Sequence, residues 1–189
     1  MSGHDAVETE TSHKGVALLI ALLALCLAFS EMGGNNAERE SQAHNLEASN
    51  LWAFFQAKTI RRTSVQLAAE QVEAQVPGVT DPALRESLEK RIAAWKKTAD
   101  RYDTEPETGE GRKELAARAK AAEDKRDYQK SKNEIFELSS AILQIAIVLC
   151  SAMIITGIAA LAWIAGGLGV VPIGLMLMGL LAPTMLGFF

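Results

Sequence analysis

Charge is missing from two long parts of this sequence. No Asp, Glu, Lys or Arg occurs between Gly15 and Phe29, and none occurs in the 52 residues from Leu138 to Phe189. A soluble domain gives each element a wet face and therefore scatters charge through all of them. An uncharged run of that length excludes such a face and makes lipid its natural solvent. Histidine and cysteine are also scarce. His4, His13 and His44 form no HxxxH or HExxH pattern and no Cys/His grouping, which removes the usual zinc signatures. Cys26 and Cys150 lie singly inside apolar runs, without CxxC spacing, and read as small apolar side chains. There is no nucleophile elbow and no plausible Ser/His/Asp set, and Gly109-Glu-Gly111 is not a dinucleotide fingerprint. A non-enzymatic protein without a cofactor or bound metal is expected.

The charge that is present sits in the middle. All but one of the 19 Lys/Arg (Lys14) and all but three of the 23 Asp/Glu (Asp5, Glu8, Glu10) fall between Glu31 and Glu137. The segment is thus close to neutral. It lacks the clustered basic excess that a nucleic acid demands, so no nucleic-acid partner is expected.

Three apolar runs read as transmembrane helices. Gly15–Met32 has 18 residues, which span about 27 Å as a helix, just enough for a bilayer core. The region before it is acidic and no small-x-small cleavage site follows, so a retained anchor is expected and not a signal peptide. The second run covers 135–165, with Trp163 near its end as an interfacial aromatic. Gly166-Gly167-Leu168-Gly169 is predicted to turn the chain into a third run that reaches Phe189. Pro172 and Pro183 leave a shorter, re-entrant segment as the alternative there. Lys120, Lys125, Arg126, Lys130 and Lys132 precede the second helix. By the positive-inside rule they place the middle in the cytoplasm of a multi-pass inner-membrane protein. The predicted organisation is an acidic tail at 1–14, membrane helices at 15–32, 135–165 and 166–189, and a helical segment at 33–134.

Within that segment, helices are predicted over 35–76, 82–103 and 112–134. No Pro or Gly interrupts Asn35 to Gln75, and good helix formers dominate it. Two apolar seams run along it: Leu46, Ala53, Ala57, Ile60, Leu67, and Leu51, Phe55, Val65, Ala69, Val72, Val76. Asp81-Pro82 supplies an N-cap and a first-turn proline. The stripe Leu84, Leu88, Ile92, Trp95, Ala99, Tyr102 then gives the cleanest amphipathic pattern in the chain. An acidic loop, Asp103 to Gly111, separates it from the third helix. The lengths out and back nearly match, so the expectation is an all-α membrane protein carrying a long antiparallel coiled-coil stalk. This is preferred to a compact three-helix bundle. The stalk would reach about 60 Å.

Two groups of residues are candidates for function. Trp52, Phe54, Phe55, Lys58, Arg61 and Arg62 form an aromatic-then-basic patch. It could take an anionic headgroup, a nucleotide-like ligand or a cytoplasmic protein; the plainer reading is helix packing with solvated or salt-bridged bases. In the apolar runs, Gln144, Ser151 and Thr156 could form an interface through interhelical hydrogen bonds, or line a path. Glu31 and Glu137 fall at the predicted membrane edge, where they can stay hydrated. The acidic loop Glu105–Glu110 lacks the spacing of an EF-hand calcium site.

Several stretches resemble one family of small bacterial membrane proteins, domain-of-unknown-function family 4337. They are Trp52-Ala-Phe-Phe-Gln-Ala-Lys58-Thr-Ile-Arg61, Tyr102 with Glu105-Pro106 and Gly109-Glu-Gly111, Glu114-Leu115, and Gln144-Ile-Ala-Ile-Val-Leu149. The resemblance implies three membrane helices with a helical insert, and no activity or functional residue. The two-seamed helix, the Ala-rich third helix and the uncharged hairpin make a self-associating scaffold in contact with membrane lipid the expected role. A homo-oligomeric channel or transport component, and a membrane adaptor recruiting a cytoplasmic partner, are the alternatives.

Overall fold

The computed structural model describes residues 3–183, with side chains from residue 14 onward. Residues 184–189 of the expected third span lie outside the described residues. The described chain is all-α: α1 (Gly3–Gln75), a short 3-10 turn (Val76–Gly78), α2 (Pro82–Asp103), α3 (Arg112–Thr156) and α4 (Ala159–Leu181). α1, α3 and α4 are each long and apolar enough to cross a membrane. The chain divides into two compact units, one formed by Met1–Gln42 with Arg126–Phe189 and the other by Ala43–Lys125.

Two boundaries differ from the sequence-based expectation. The first anchor and the helix after it are a single α1, which passes through Gly33-Gly34 without a break. Glycine lowers helix propensity by about 1 kcal/mol, but here it serves close packing. A Cβ on Gly33 would lie 2.8 Å from Phe136 Cε1, and one on Gly34 would lie 3.3 Å from Phe136 Cβ. The second difference is the turn between the last two apolar helices. It falls at Gly157-Ile158, not at 166–169, which lie inside α4. Gly157 has φ +73° and its N–H donates to Met153 O at 2.8 Å, a left-handed helix C-terminus that favours glycine. Trp163 therefore belongs to the start of α4, where it is exposed. Pro172 is accommodated within α4, so a break at that residue does not occur; Pro183 lies beyond the helix.

The first unit is built around α3. Leu23, Leu143, Ala146, Cys150, Met153 and Ala165 form one buried cluster from three helices. Above it, Phe136 is enclosed between Gly33 of α1 and Gly179 of α4. Two buried hydroxyls add directional ties: Ser30 Oγ donates to Phe136 O (2.9 Å) and Ser139 Oγ to Pro172 O (3.3 Å). Further along, Asn133 Nδ2 reaches Glu38 (3.4 Å), Gln129 bonds Glu40, and Ser41 Oγ donates to Arg126 O. Rising numbers on α1 meet falling numbers on α3, so the two run in opposite directions. Many side chains of the uncharged stretches face outward and are apolar, among them Leu18, Leu22, Phe29, Ile145, Val148, Ile155 and Leu177. An apolar exterior of this extent suits hydrocarbon and not water.

In the second unit, Ala48 and Leu51 of α1 pack on Leu115, Ala119 and Ala122 of α3, with Trp52 and Phe55 at the edge. α2 starts as its sequence predicts: Asp81 accepts from Ala83 N–H at 2.9 Å and Pro82 takes the first turn. It buries Ile92 and Ala99 of its stripe and joins α1 through Lys96–Glu73 (2.8 Å). The two seams of α1 have different fates. Leu51 and Ala69 of one are buried; Leu46, Ala53, Ala57, Ile60 and Leu67 of the other are all exposed.

Candidate functional site

The aromatic-basic patch is a junction of the second unit. Trp52 Nε1 donates to Glu123 Oε1 (2.8 Å), and its ring meets Phe55 edge-to-face at 5.4 Å. The Arg112 guanidinium lies 5.0 Å from the Phe55 ring centroid and donates to Thr59 Oγ1 and to Asp103 Oδ1, each at 2.9 Å. Lys58 is largely covered. It sits 3.6 Å from both Glu105 and Glu110 and 5.5 Å from the Tyr102 ring centroid. Arg62 Nε is 3.7 Å from Asp103 Oδ1.

The acidic loop therefore faces these bases. Its backbone is set by two glycines. Gly109 adopts φ +68°, and at Gly111 a Cβ would fall 2.5 Å from Glu105 N, where backbone cannot give way. Asp103 gathers three cations: Arg62, Arg112 and Lys113 (3.3 Å). Desolvation opposes its charged form. The hydrogen bond from Lys113 and the charges of Arg62, Lys113 and Arg112 outweigh it and hold the carboxyl below its ordinary value.

This geometry favours the plainer reading of the patch. Lys58 and Arg62 are held in ion pairs and Trp52 in a hydrogen bond, so the polar ends of all three are already engaged. Phe54 and Arg61 remain exposed, beside Arg118, at a groove of about 380 Å³. Asp103 and Arg112 are the hubs that sequence reasoning missed as such. They meet each other across the acidic loop, and their partners on α1, Arg62 for Asp103 and Thr59 for Arg112, lie more than forty residues away, so no local spacing announces the cluster.

The polar residues of the apolar helices also separate. Ser151 Oγ donates to Ile147 O (3.0 Å) and Thr156 Oγ1 to Ala152 O (2.8 Å), each within its own helix. Those hydroxyls are satisfied without a neighbour. Gln144 differs: its amide is exposed and has no hydrogen-bond partner among the described residues. It lines a cleft of about 510 Å³ with Glu31, Asn35, Glu137 and Ser140. Among the described residues, no group of three or more His, Cys, Asp and Glu is placed to hold a metal ion.

A family model for a domain of unknown function, DUF4337, matches residues 12–182. The chain belongs to the DUF4337 family. The match takes in all three apolar helices and the whole of the second unit, so both units are parts of one DUF4337 domain. No curated protein and no solved structure matches the chain.

Proposed function

We propose that this DUF4337 protein is a non-catalytic membrane scaffold that assembles with further copies of itself. One observation carries the reading: the exposed seam of α1. Leu46, Ala53, Ile60 and Leu67 recur every seven residues, with Asn50, Ala57 and Ser64 between them, and every one of these positions is exposed. Leu46 is 63% exposed, Ile60 67% and Leu67 53%. Strict seven-residue spacing keeps a seam facing a second helix, whereas a helix against a broad core follows a 3.6-residue period.

The chemistry of the seam suits an identical copy. No charge occupies a seam position from Ala43 to Gln71. Ala53, Ala57 and Ser64 are small enough to let two backbones approach, and a single asparagine in such a seam, here Asn50, fixes register between helices. The flanking positions carry only Glu47, Arg61 and Glu70 as charges, so two copies meet without like-charge crowding. Each leucine or isoleucine side chain fully buried contributes about 1.5–3 kcal/mol.

In this reading the second unit is a coiled-coil hairpin, in which Trp52 pairs with Glu123 and Thr59 with Arg112 across opposed helices. It lies in the cytoplasm beside an inner membrane, as Lys120, Lys125 and Lys132 suggest. Light scattering of the purified full chain in detergent tests the proposal. Assemblies larger than the 20.4 kDa chain are expected, and Ile60→Asp with Leu67→Asp should dissociate them while helix content stays the same. A wild-type monomer at all concentrations, or an assembly indifferent to the double substitution, overturns it.

A further inference from the structure

The cleft between α1 and α3 in the first unit carries chemistry that the scaffold reading does not use. It lies where charge ends on both helices. Glu31 is the first charged residue after the uncharged run of α1, and Glu137 is the last before the uncharged run of α3. Neither carboxylate meets a cation among the described residues. Of those residues, Glu137 accepts only from Asn133 Nδ2 (3.2 Å), and Glu31 has no partner. No lysine or arginine lines the cleft.

A second, independent observation comes from Ser140. It is nine-tenths buried, it lines the cleft, and its hydroxyl has no hydrogen-bond partner among the described residues. A helical serine ordinarily donates to the carbonyl four residues back. Here that carbonyl, Phe136 O, accepts from Ser30 instead. The Asn35 and Gln144 amides, also lining the cleft, are equally unpartnered among the described residues. Two carboxylates without a cationic partner, beside a serine hydroxyl and two amide oxygens, can accept from a cationic hydrogen-bond donor.

We propose that this cleft binds a primary ammonium group, as carried by an ethanolamine phospholipid headgroup. The ammonium would donate to the Glu31 and Glu137 carboxylates, with the oxygens of Ser140, Asn35 and Gln144 as further acceptors. The volume, about 510 Å³, exceeds that of a bare ion. No third carboxylate, histidine or cysteine joins Glu31 and Glu137 among the described residues. The absence of basic residues from the lining turns away anionic headgroups. Exposed Phe29, Leu138 and Ile145 near the cleft in sequence offer apolar surface to acyl chains. The site lies within one chain and stands whether or not copies assemble.

Native mass spectrometry of the full chain in detergent tests this, with phosphatidylethanolamine, phosphatidylcholine and phosphatidylglycerol supplied in equal amounts. Phosphatidylethanolamine should be retained about tenfold over the other two, the ratio expected from one charge-assisted hydrogen bond. Glu31→Gln with Glu137→Gln should bring the ratio to about one, and Ser140→Ala should lower it by a smaller factor. Both carboxylates are exposed, so an unchanged melting temperature accompanies the loss. Free ethanolamine identifies the source. If it binds wild type and not the double variant while no lipid is retained, the ammonium comes from solution; retained phosphatidylethanolamine places it in the membrane. Equal retention of the three lipids with no ethanolamine binding overturns the proposal. So does a double variant that binds as wild type does.

Discussion

Gly33 and Gly15 lie on the same helix and should respond to alanine with opposite signs. At Gly33 a Cβ would fall 2.8, 2.9 and 3.2 Å from three ring carbons of Phe136. A methyl group normally keeps about 3.5–4.0 Å from carbon, so something must move. The ring is rigid and 3% exposed, and its far edge faces Gly179, where a Cβ would already sit 3.4 Å from Phe136 Cε2. The backbone behind it is tied by Ser30 Oγ to Phe136 O. Relief must therefore come from separating α1 and α3, at a cost of about 1–3 kcal/mol as for other overpacked cores. At Gly15 nothing lies within 4 Å, and alanine should stabilise by up to about 1 kcal/mol through helix propensity. Thermal unfolding in detergent reads both. On the scale of a chain this size, Gly33→Ala should lower the midpoint by roughly 2–12 °C. A smaller side chain should absorb the clash: in the Phe136→Leu background the added cost of Gly33→Ala should largely vanish. A Gly33→Ala protein as stable as wild type, or the same cost in both backgrounds, would refute the packing argument.

Gly157→Ala should destabilise by roughly 1–2 kcal/mol, because φ +73° is left-handed; Gly157→Asn should recover part of it, read by the same melting assay. Asp103 gives a pH signature. Its folded value lies below the ordinary 3.8, so its contribution is present above 3.8 and is lost as pH falls through the folded value. The difference in melting temperature between wild type and Asp103→Asn should stay constant from about pH 7 to 5 and shrink below 3.8. A difference that grows on acidification would contradict the ion-pair assignment.

Much of the architecture was legible in the sequence because it is written in local terms. Uncharged length marks a membrane helix wherever it occurs, and the three runs are found on α1, α3 and α4. Asp81-Pro82 specifies a helix start through its own backbone, and α2 begins there. The DUF4337 resemblance rested on short motifs and holds over residues 12–182. Boundaries at glycine were not legible. Gly33-Gly34 and the glycines of 166–169 look like breaks, yet both stretches are helical, whereas Gly157 is the turn. Glycine permits a turn, a close approach or neither, and its neighbours in space decide among them.

The candidate sites divide in the same way. Residue types alone nominated Trp52, Phe55, Lys58, Arg61 and Arg62, and Gln144, Ser151 and Thr156, since chemistry is a property of the side chain. Which of them remain available is a property of distance. Asp103, Glu105, Glu110 and Glu123 occupy Arg62, Lys58 and Trp52 from more than forty residues away. Own-helix carbonyls occupy Ser151 and Thr156, while Gln144 stays open beside Glu31, Glu137 and Ser140. The sequence by itself determined that this chain has three helices long and apolar enough to cross a membrane and keeps its charge in the middle, because hydrophobic length and helix periodicity act over neighbouring residues. Only the tertiary structure decided which seam of α1 is left uncovered and where Glu31, Glu137, Ser140 and Gln144 converge, because those follow from which helices pack together.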